Sequence, residues 1–297
     1  MKVLVTGKNG QLGSELQKSC PSNVELICFG SQELNIANAE QVNELLISHS
    51  PDIVINAAAY TAVDKAETDI TQAYAVNEQG PTNLANVCKH INAKLIHIST
   101  DFVFDGTNTT PYTAIDTTNP LGVYGASKLA GEQQISNILG QQATIVRTAW
   151  VYSAFGNNFV KTMLRLMRDK EQLGIVGDQV GTPTWAAGLA NMLWALVSKS
   201  NNESQANNTA TILNWTDAGV ASWYDFAVAI QELAIEQGLL TKAIPISAIP
   251  AASYPTPAKR PAFSVLNKAQ AEELTGVKTI HWRTQLKAML KELTKGQ

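Results

Sequence analysis

Tyr124 and Lys128 stand four residues apart in the run Tyr124-Gly125-Ala126-Ser127-Lys128. On a helix that spacing sets the phenol and the ammonium on one face, one turn apart. A free tyrosine has a pKa of about 10 and passes protons poorly near neutral pH. A neighbouring ammonium favours the phenolate and is expected to pull that pKa down. The pair could then hand a proton to a carbonyl oxygen. Thr100, within Ser99-Thr100-Asp101, offers a hydroxyl to hold the same oxygen. A Tyr/Lys pair alone is common on ordinary helices, so its meaning depends on what precedes it.

What precedes it is a glycine-rich turn, Gly7-Lys8-Asn9-Gly10-Gln11-Leu12-Gly13, after the apolar run Val3-Leu4-Val5. Glycines at this spacing turn a strand sharply into a helix, let the backbone approach a pyrophosphate, and let the helix pack close to the sheet. The helix N-terminus adds unpaired N–H groups and the positive end of a dipole. The turn reads as a dinucleotide site, with Gly7, Gly10, Gln11, Leu12 and Gly13 at the phosphates. The second strand ends Phe29-Gly30-Ser31-Gln32, with no carboxylate where NAD-specific sites hold the adenosine 2'-hydroxyl. With Ser31 as a donor and Lys8 in the turn, the expectation leans to NADPH, with NADH possible. Lys128 could also reach the nicotinamide ribose.

These groups need a frame. Of the 297 residues, 45% are hydrophobic and 16% charged, enough for a full core and too little charge for disorder. A net charge of -3 without a basic block argues against nucleic acid as a partner. No apolar run is long enough to span a bilayer, and the chain opens on strand residues rather than a signal peptide. Cys20, Cys28 and Cys88 are few and not in metal spacing, which fits a reducing cytoplasm.

Apolar strand runs alternate with helical stretches through the first half. Strands are expected at 3–6, 24–29, 52–56, 94–99 and 143–147. Helices are expected at 12–19, 39–48 and 70–92, the last broken near Pro81, and another carries Tyr124 and Lys128. Such alternation predicts an α/β fold: a Rossmann-type doubly wound parallel sheet. After about residue 155 the pattern loosens, with helices at 157–168, 185–198 and 223–238. Residues 200–210 read as a polar, exposed loop, and 249–261 as a proline-stiffened extended segment. The expectation is a dinucleotide-binding domain over 1–155, to which some later elements return. Residues 156–297 would mainly form a smaller substrate-binding lobe.

The chain resembles the extended short-chain dehydrogenase/reductases that act on nucleotide sugars, and among them the dTDP-4-dehydrorhamnose reductase family. The resemblance covers nearly the whole length. It rests on Asn56-Ala57-Ala58-Ala59-Tyr60-Thr61-Ala62-Val63-Asp64, Ser99-Thr100-Asp101-Phe102-Val103-Phe104-Asp105-Gly106 and Arg147-Thr148-Ala149-Trp150. It continues in Gly177-Asp178-Gln179-Val180-Gly181-Thr182-Pro183-Thr184 and Tyr254-Pro255-Thr256-Pro257-Ala258-Lys259-Arg260-Pro261. The glycine turn and the Tyr/Lys pair specify only the superfamily; the Tyr254–Pro261 block and Leu266-Asn267, which closes the resemblance, are more specific.

The resemblance implies reduction of the C4 keto group of a dTDP-4-keto-6-deoxy sugar, with Thr100, Tyr124 and Lys128 as the catalytic trio. It implies cofactor contacts from residues 56–59, with Tyr60 and Thr61 alongside and Val63 and Asp64 at the pocket mouth. Phe102 and Trp150 would shape the sugar pocket, and Thr182 and Arg260 would face the nucleotide. Related dehydratases carry Asp-Glu after the threonine, whereas here Asp101 precedes Phe102. An epimerase of the same superfamily, or a non-catalytic cofactor-binding regulatory subunit, would share the glycine turn. The carboxy-terminal blocks argue against the first, and the intact trio against the second. Two positions depart from the pattern. Asn35 replaces an aspartate in Leu34-Asn35-Ile36, where it could still bond adenine or backbone. Some members dimerise through magnesium on three glutamates; Glu15 and Glu292 match two, and the third falls near Ala187-Gly188. The expectation is therefore no bound metal, a monomer or weak homodimer, and Glu15 as a solvated helix residue.

Overall fold

The structure is a computed structural model that describes residues 1–199 and 209–295. The first half runs β1 (Lys2–Thr6), α1 (Gln11–Lys18), β2 (Glu25–Phe29), α2 (Ala39–His49), β3 (Ile53–Asn56), α3 (Val63–Ala66) and α4 (Ile70–Tyr74). A π-helical turn (Ala75–Gln79) leads into α5 (Gly80–Ile91), followed by β4 (Lys94–Thr100), α6 (Val123–Leu139) and β5 (Ala143–Thr148). The second half holds β6 (Val151–Tyr152), α7 (Phe159–Asp169), β7 (Leu173–Val176), β8 (Val180–Gly181), β9 (Thr184–Trp185) and α8 (Ala186–Lys199). It closes with β10 (Thr211–Asn214), β11 (Ala221–Ser222), α9 (Trp223–Glu236), β12 (Ile246–Ile249), α10 (Ala269–Thr275) and α11 (Trp282–Lys295).

Six parallel strands form the central sheet in the order β10-β5-β4-β3-β1-β2. Side chains alternate across it, as the strand period of two requires. Val3, Val5, Ile53, Ile55 and Ile96 pack with Leu12 and Leu16 of α1 and Leu189 and Leu193 of α8. Leu4, Val54, Leu95 and Ile145 face the other way, onto Val42, Leu46, Leu84 and Ile135 of α2, α5 and α6. Covering both faces explains why the strands read as unbroken apolar runs. The strand order reverses between β1 and β3, which is where open sheets of this kind leave a crevice.

β10 is the strand the sequence reading lacks. Its four residues pair with β5 in parallel, from Thr211 with Thr144 to Asn214 with Arg147. The polar stretch 200–210 lies, apart from Thr209 and Ala210, outside the described residues. The expected break at Pro81 is also corrected. The helical path is continuous from Ile70 to Ile91, because the wider π turn ahead of Pro81 absorbs the ring. The segment 249–261 is not uniformly extended; it contains a 3-10 turn at Ala251–Ser253.

A second apolar cluster joins α7, α9 and α11 through Met163, Met167, Phe226, Ile230, Leu286 and Met289. β12 pairs with β7 beside it. No helix among the described residues is long and apolar enough to cross a membrane.

Candidate active site

A cavity of about 670 Å³ opens at the carboxyl ends of β1, β3 and β4. Gly7, Gly10, Gln11 and Leu12 line it, together with Ser31, Asn35, Ala57, Ala58 and Ala59. Thr100, Phe102, Tyr124, Lys128 and Trp150 line it as well. Residues far apart in sequence thus share one space.

The glycine turn fits a dinucleotide pyrophosphate. Gly7 has a φ of 74°, and a Cβ there would lie 2.8 Å from the backbone of Ala57. A Cβ on Gly13 would lie 2.2 Å from the Gly7 carbonyl oxygen, so this glycine lets α1 pack on the turn and does not line the cavity. α1 starts at Gly10 without a side-chain cap, which leaves its first N–H groups for an anion. Gln11 is held in place: its Nε2 donates to the Val151 carbonyl and its Oε1 accepts from Asn158. Asn35 accepts from the Ala37 N–H, so its side chain serves the local turn.

Near Ser31 the structure departs from the expectation of a site without a carboxylate. A carboxylate does sit beside Ser31: Glu33 accepts the Gly30 N–H at 2.8 Å and pairs with the Lys8 ammonium. These contacts, the Lys8 hydrogen bond foremost, hold the Glu33 carboxyl below its usual range. Lys8 is therefore partly neutralised rather than free for a 2'-phosphate.

At the other end, Tyr124 is half-buried and lines the cavity together with Thr100. The Thr100 hydroxyl donates to Asp101 Oδ1 at 3.1 Å. Burial first, then the nearby Asp101 charge, pushes the phenol up to about 12. The direction is opposite to the lowering expected from Lys128, which is not among the groups acting on the phenol; loss of water around it dominates. The phenol stands as an acid with its proton in place. Phe102 meets it edge-on, ring centroids 5.5 Å apart. Asp101 is itself pushed up to about 6 by burial, against hydrogen bonds from Ser264 and Thr100.

Lys128 is 2% exposed, and its ammonium donates to the Ile98 carbonyl at 2.6 Å. Burial pulls its pKa down to about 8, against the opposing effect of Glu132. α6 is placed by close contacts. Cβ atoms on Gly125 and Gly131 would lie 2.2 Å from the Phe102 carbonyl oxygen and 2.1 Å from that of Asn77. Glu67 accepts the Val123 N–H at 2.8 Å and so caps the helix from α3's end. One turn past Lys128, Glu132 forms a buried ion pair with Arg147 at 2.6 Å. Removing one partner of such a pair costs about 3–5 kcal/mol, so α6 is firmly docked on β5.

Several residues singled out from the sequence do not line the cavity. Gly13 packs beneath the turn. Tyr60 donates its hydroxyl to Asp69, and its backbone is clasped by Asn77. Thr182 is fully buried and donates to the Gly219 carbonyl at 2.9 Å. Arg260 forms a two-point ion pair with Asp64, at 2.8 and 3.0 Å, and also bonds Thr256 and the Ala258 carbonyl. Asn56 is likewise not in the wall but buried beneath it.

Glu15 is not the solvated helix residue expected. It is 1% exposed, accepts from Ser153 Oγ at 2.7 Å, and burial raises its pKa. Lys18 lies 3.8 Å from Glu15 and 2.6 Å from Glu292. Residues the sequence reading missed include Asn9 and Thr148 in the wall, His97 below Lys128, and Trp223 stacked on Trp150. For His97 a signal existed: one imidazole in the apolar run Leu95-Ile96-His97-Ile98.

A doubly wound parallel sheet, a glycine turn at its switch point and a Tyr/Lys helix beside a threonine define a Rossmann-type nicotinamide-dependent reductase of the short-chain dehydrogenase/reductase class. The family model described as RmlD substrate binding domain matches residues 1–295. A dTDP-4-dehydrorhamnose reductase of Burkholderia thailandensis is 39% identical over 296 residues, spanning 99% of both chains. A crystal structure of the reductase of that name from Clostridium acetobutylicum is 41% identical, with a TM-score of 0.90 over 99% of this chain and all of its own. Another, from Bacillus anthracis and in complex with NADP, is 33% identical, with a TM-score of 0.88 over 98% of this chain and 99% of its own. The chain belongs to the dTDP-4-dehydrorhamnose reductase family.

Proposed function

We propose that this chain reduces the C4 keto group of dTDP-4-dehydro-L-rhamnose to give dTDP-L-rhamnose, the last step in making that nucleotide sugar. It uses NADPH and also accepts NADH. The observation that carries this reading is the meeting of Thr100, Tyr124 and Lys128 with the glycine turn in one cavity of a chain of this family.

Bound in the cavity, the reduced nicotinamide supplies the hydride for C4. Gly7, Gly10, Gln11 and Leu12 hold the pyrophosphate at the start of α1. Ser31 and Asn35 flank the adenosine, and Ala57, Ala58 and Ala59, with Tyr60 behind them, border the path to the nicotinamide. Lys128 holds the ribose. The Thr100 hydroxyl orients the ketone oxygen, and Tyr124, which keeps its proton at neutral pH, donates to it. Phe102 and Trp150 border the sugar and keep water from the reacting carbon.

Arg260 reaches the diphosphate by exchanging Asp64 for it, since a guanidinium fork suits either oxyanion. Thr182 acts through the backbone, fixing β8 beneath Trp150. Residues 1–155 form the cofactor domain, with later elements returning to it, and 156–297 mainly form the nucleotide-sugar lobe. The protein is a monomer or weak homodimer and works in the cytoplasm. The three cysteines, none in a disulfide, support the last point.

The test is an assay with dTDP-6-deoxy-L-lyxo-4-hexulose and each nicotinamide in turn. Oxidation of NADPH with formation of dTDP-L-rhamnose is expected. Tight NADPH binding with no oxidation would return the chain to a non-catalytic role.

A further inference from the structure

Under the cavity runs a line of buried polar groups that reaches Lys128 from the sheet. Thr6, Asn56 and His97 sit on β1, β3 and β4, and each is at most 1% exposed. Thr6 Oγ1 donates to Asn56 Oδ1 at 2.7 Å, and the Ala58 N–H donates to the same oxygen at 3.2 Å. Two donors on one oxygen fix the amide, so Asn56 Nδ2 faces His97 Nδ1, at 2.9 Å. Turning the amide over would set its NH2 against the Ala58 N–H. His97 Nδ1 therefore accepts, and a neutral imidazole then carries its proton on Nε2. Burial, with the Lys128 charge second, holds the ring well below the usual histidine range and so neutral.

His97 Nε2 lies 3.2 Å from Lys128 Nζ. An N–H donor there suits the lone pair of an amine and opposes an ammonium, which has three donors and no acceptor. Other charges bear on the same nitrogen. Glu132, one turn along α6, favours the ammonium, but its carboxylate is occupied by Arg147 of β5. Asp101, at the end of β4, acts on Tyr124.

We propose that His97 is a positioning residue whose Nε2–H keeps Lys128 ready to release a proton, so that Lys128 restores the proton Tyr124 gives up at each turnover. The inference rests on the catalytic reading of Lys128. After Tyr124 has protonated the ketone oxygen, a phenolate remains. The Lys128 ammonium transfers one proton to it and becomes an amine, whose lone pair accepts the His97 Nε2–H. A solvent proton then restores the ammonium, and His97 neither gains nor loses one.

The experiment is nitrogen NMR on the full-length protein with 15N-labelled histidine, of which the chain has four. The His97 ring is assigned by its loss in His97→Gln. Expected are the Nε2–H tautomer throughout the neutral range and an Nε2 resonance that moves as Lys128 titrates, a movement absent in Lys128→Met. An Nδ1–H tautomer or an imidazolium would overturn the proposal. Activity gives the second arm. Gln at this position can turn an oxygen to Nζ, so the alkaline limb of the kcat profile should rise by about one pH unit, with kcat at neutral pH about tenfold lower. The NADPH Kd should hold. A folded variant with an unmoved profile sinks the idea; if the variant does not fold, the wild-type tautomer and its titration decide. An enzyme inert toward the keto sugar but showing this tautomer would fail the catalytic reading instead.

Discussion

Trp150 lies flat against Trp223, ring centroids 3.6 Å apart and planes 7° from parallel. The backbone of Trp150 is at a φ of 46°, a region that costs a bulky residue about 1–3 kcal/mol. The stack, with Gly181 close against the same ring, holds it there. Trp223→Ala should therefore disorder the sugar end of the cavity and leave the cofactor end intact. An aromatic pair contributes about 0.5–1.5 kcal/mol, so KM for the keto sugar should rise about twofold to tenfold. An unchanged NADPH Kd checks that the effect is local.

Tyr124→Phe removes only the proton donor. Turnover should fall by at least about 10²-fold, the usual contribution of a placed general acid, while cofactor affinity is kept. NADPH oxidation and cofactor fluorescence titration give the two readings. Near-normal turnover would displace Tyr124 from its role.

Glu33 holds Lys8 and stands beside Ser31, the residue proposed to flank the adenosine. Glu33→Gln should free the ammonium for a 2'-phosphate and remove a charge that repels it. The ratio of kcat/KM for NADPH over NADH should rise by about twofold to fivefold, in line with an exposed ion pair. A ratio that falls would mean that Lys8 does not reach the phosphate.

Asp217 is buried, accepts the Trp185 N–H at 3.0 Å, and is pushed up to about 7, chiefly by burial. Its folded pKa lies above the unfolded value of about 3.9, so the folded state holds the extra proton between the two. On this account stability falls as pH rises from about 4 to 7, and the penalty is complete above 7. Asp217→Asn keeps an acceptor for Trp185 and removes the penalty. At pH above 7 the variant should melt about 2–4 °C or more above wild type, the shift expected of roughly 1 kcal/mol at this size. Near pH 4 the advantage should vanish.

Lys18 stands between Glu15 and Glu292 and already supplies a cation there. Added magnesium should leave the elution volume in gel filtration unchanged. A shift to dimer on adding magnesium, reversed by a chelator, would show that the glutamates prefer the metal to Lys18.

The parts of the site that the sequence exposes are local ones. Gly7, Gly10 and Gly13 act within one turn, and Tyr124 and Lys128 within one turn of helix. What stays hidden depends on contacts distant in the chain. Arg260 meets Asp64 across 196 positions, and Ser153 covers Glu15 across 138, turning a helix residue of surface type into a buried one. β10 has only four residues and takes its place from β5, not from its own pattern. The Tyr124 pKa escapes the sequence for a related reason: spacing shows the neighbouring charge, but only the packed cavity shows how little water remains.

The π turn before Pro81 sets a rule of counting. Removing a single residue between 75 and 79 would restore a regular helix and please every local preference. It would also rotate the twelve residues of α5 by about 100° about their axis. Leu84, Ala85 and Cys88 would leave the sheet, and the Asn77 carbonyl would no longer meet Gly131 on α6. In this family fold, chain length over those five positions is as binding as the identity of any residue in them.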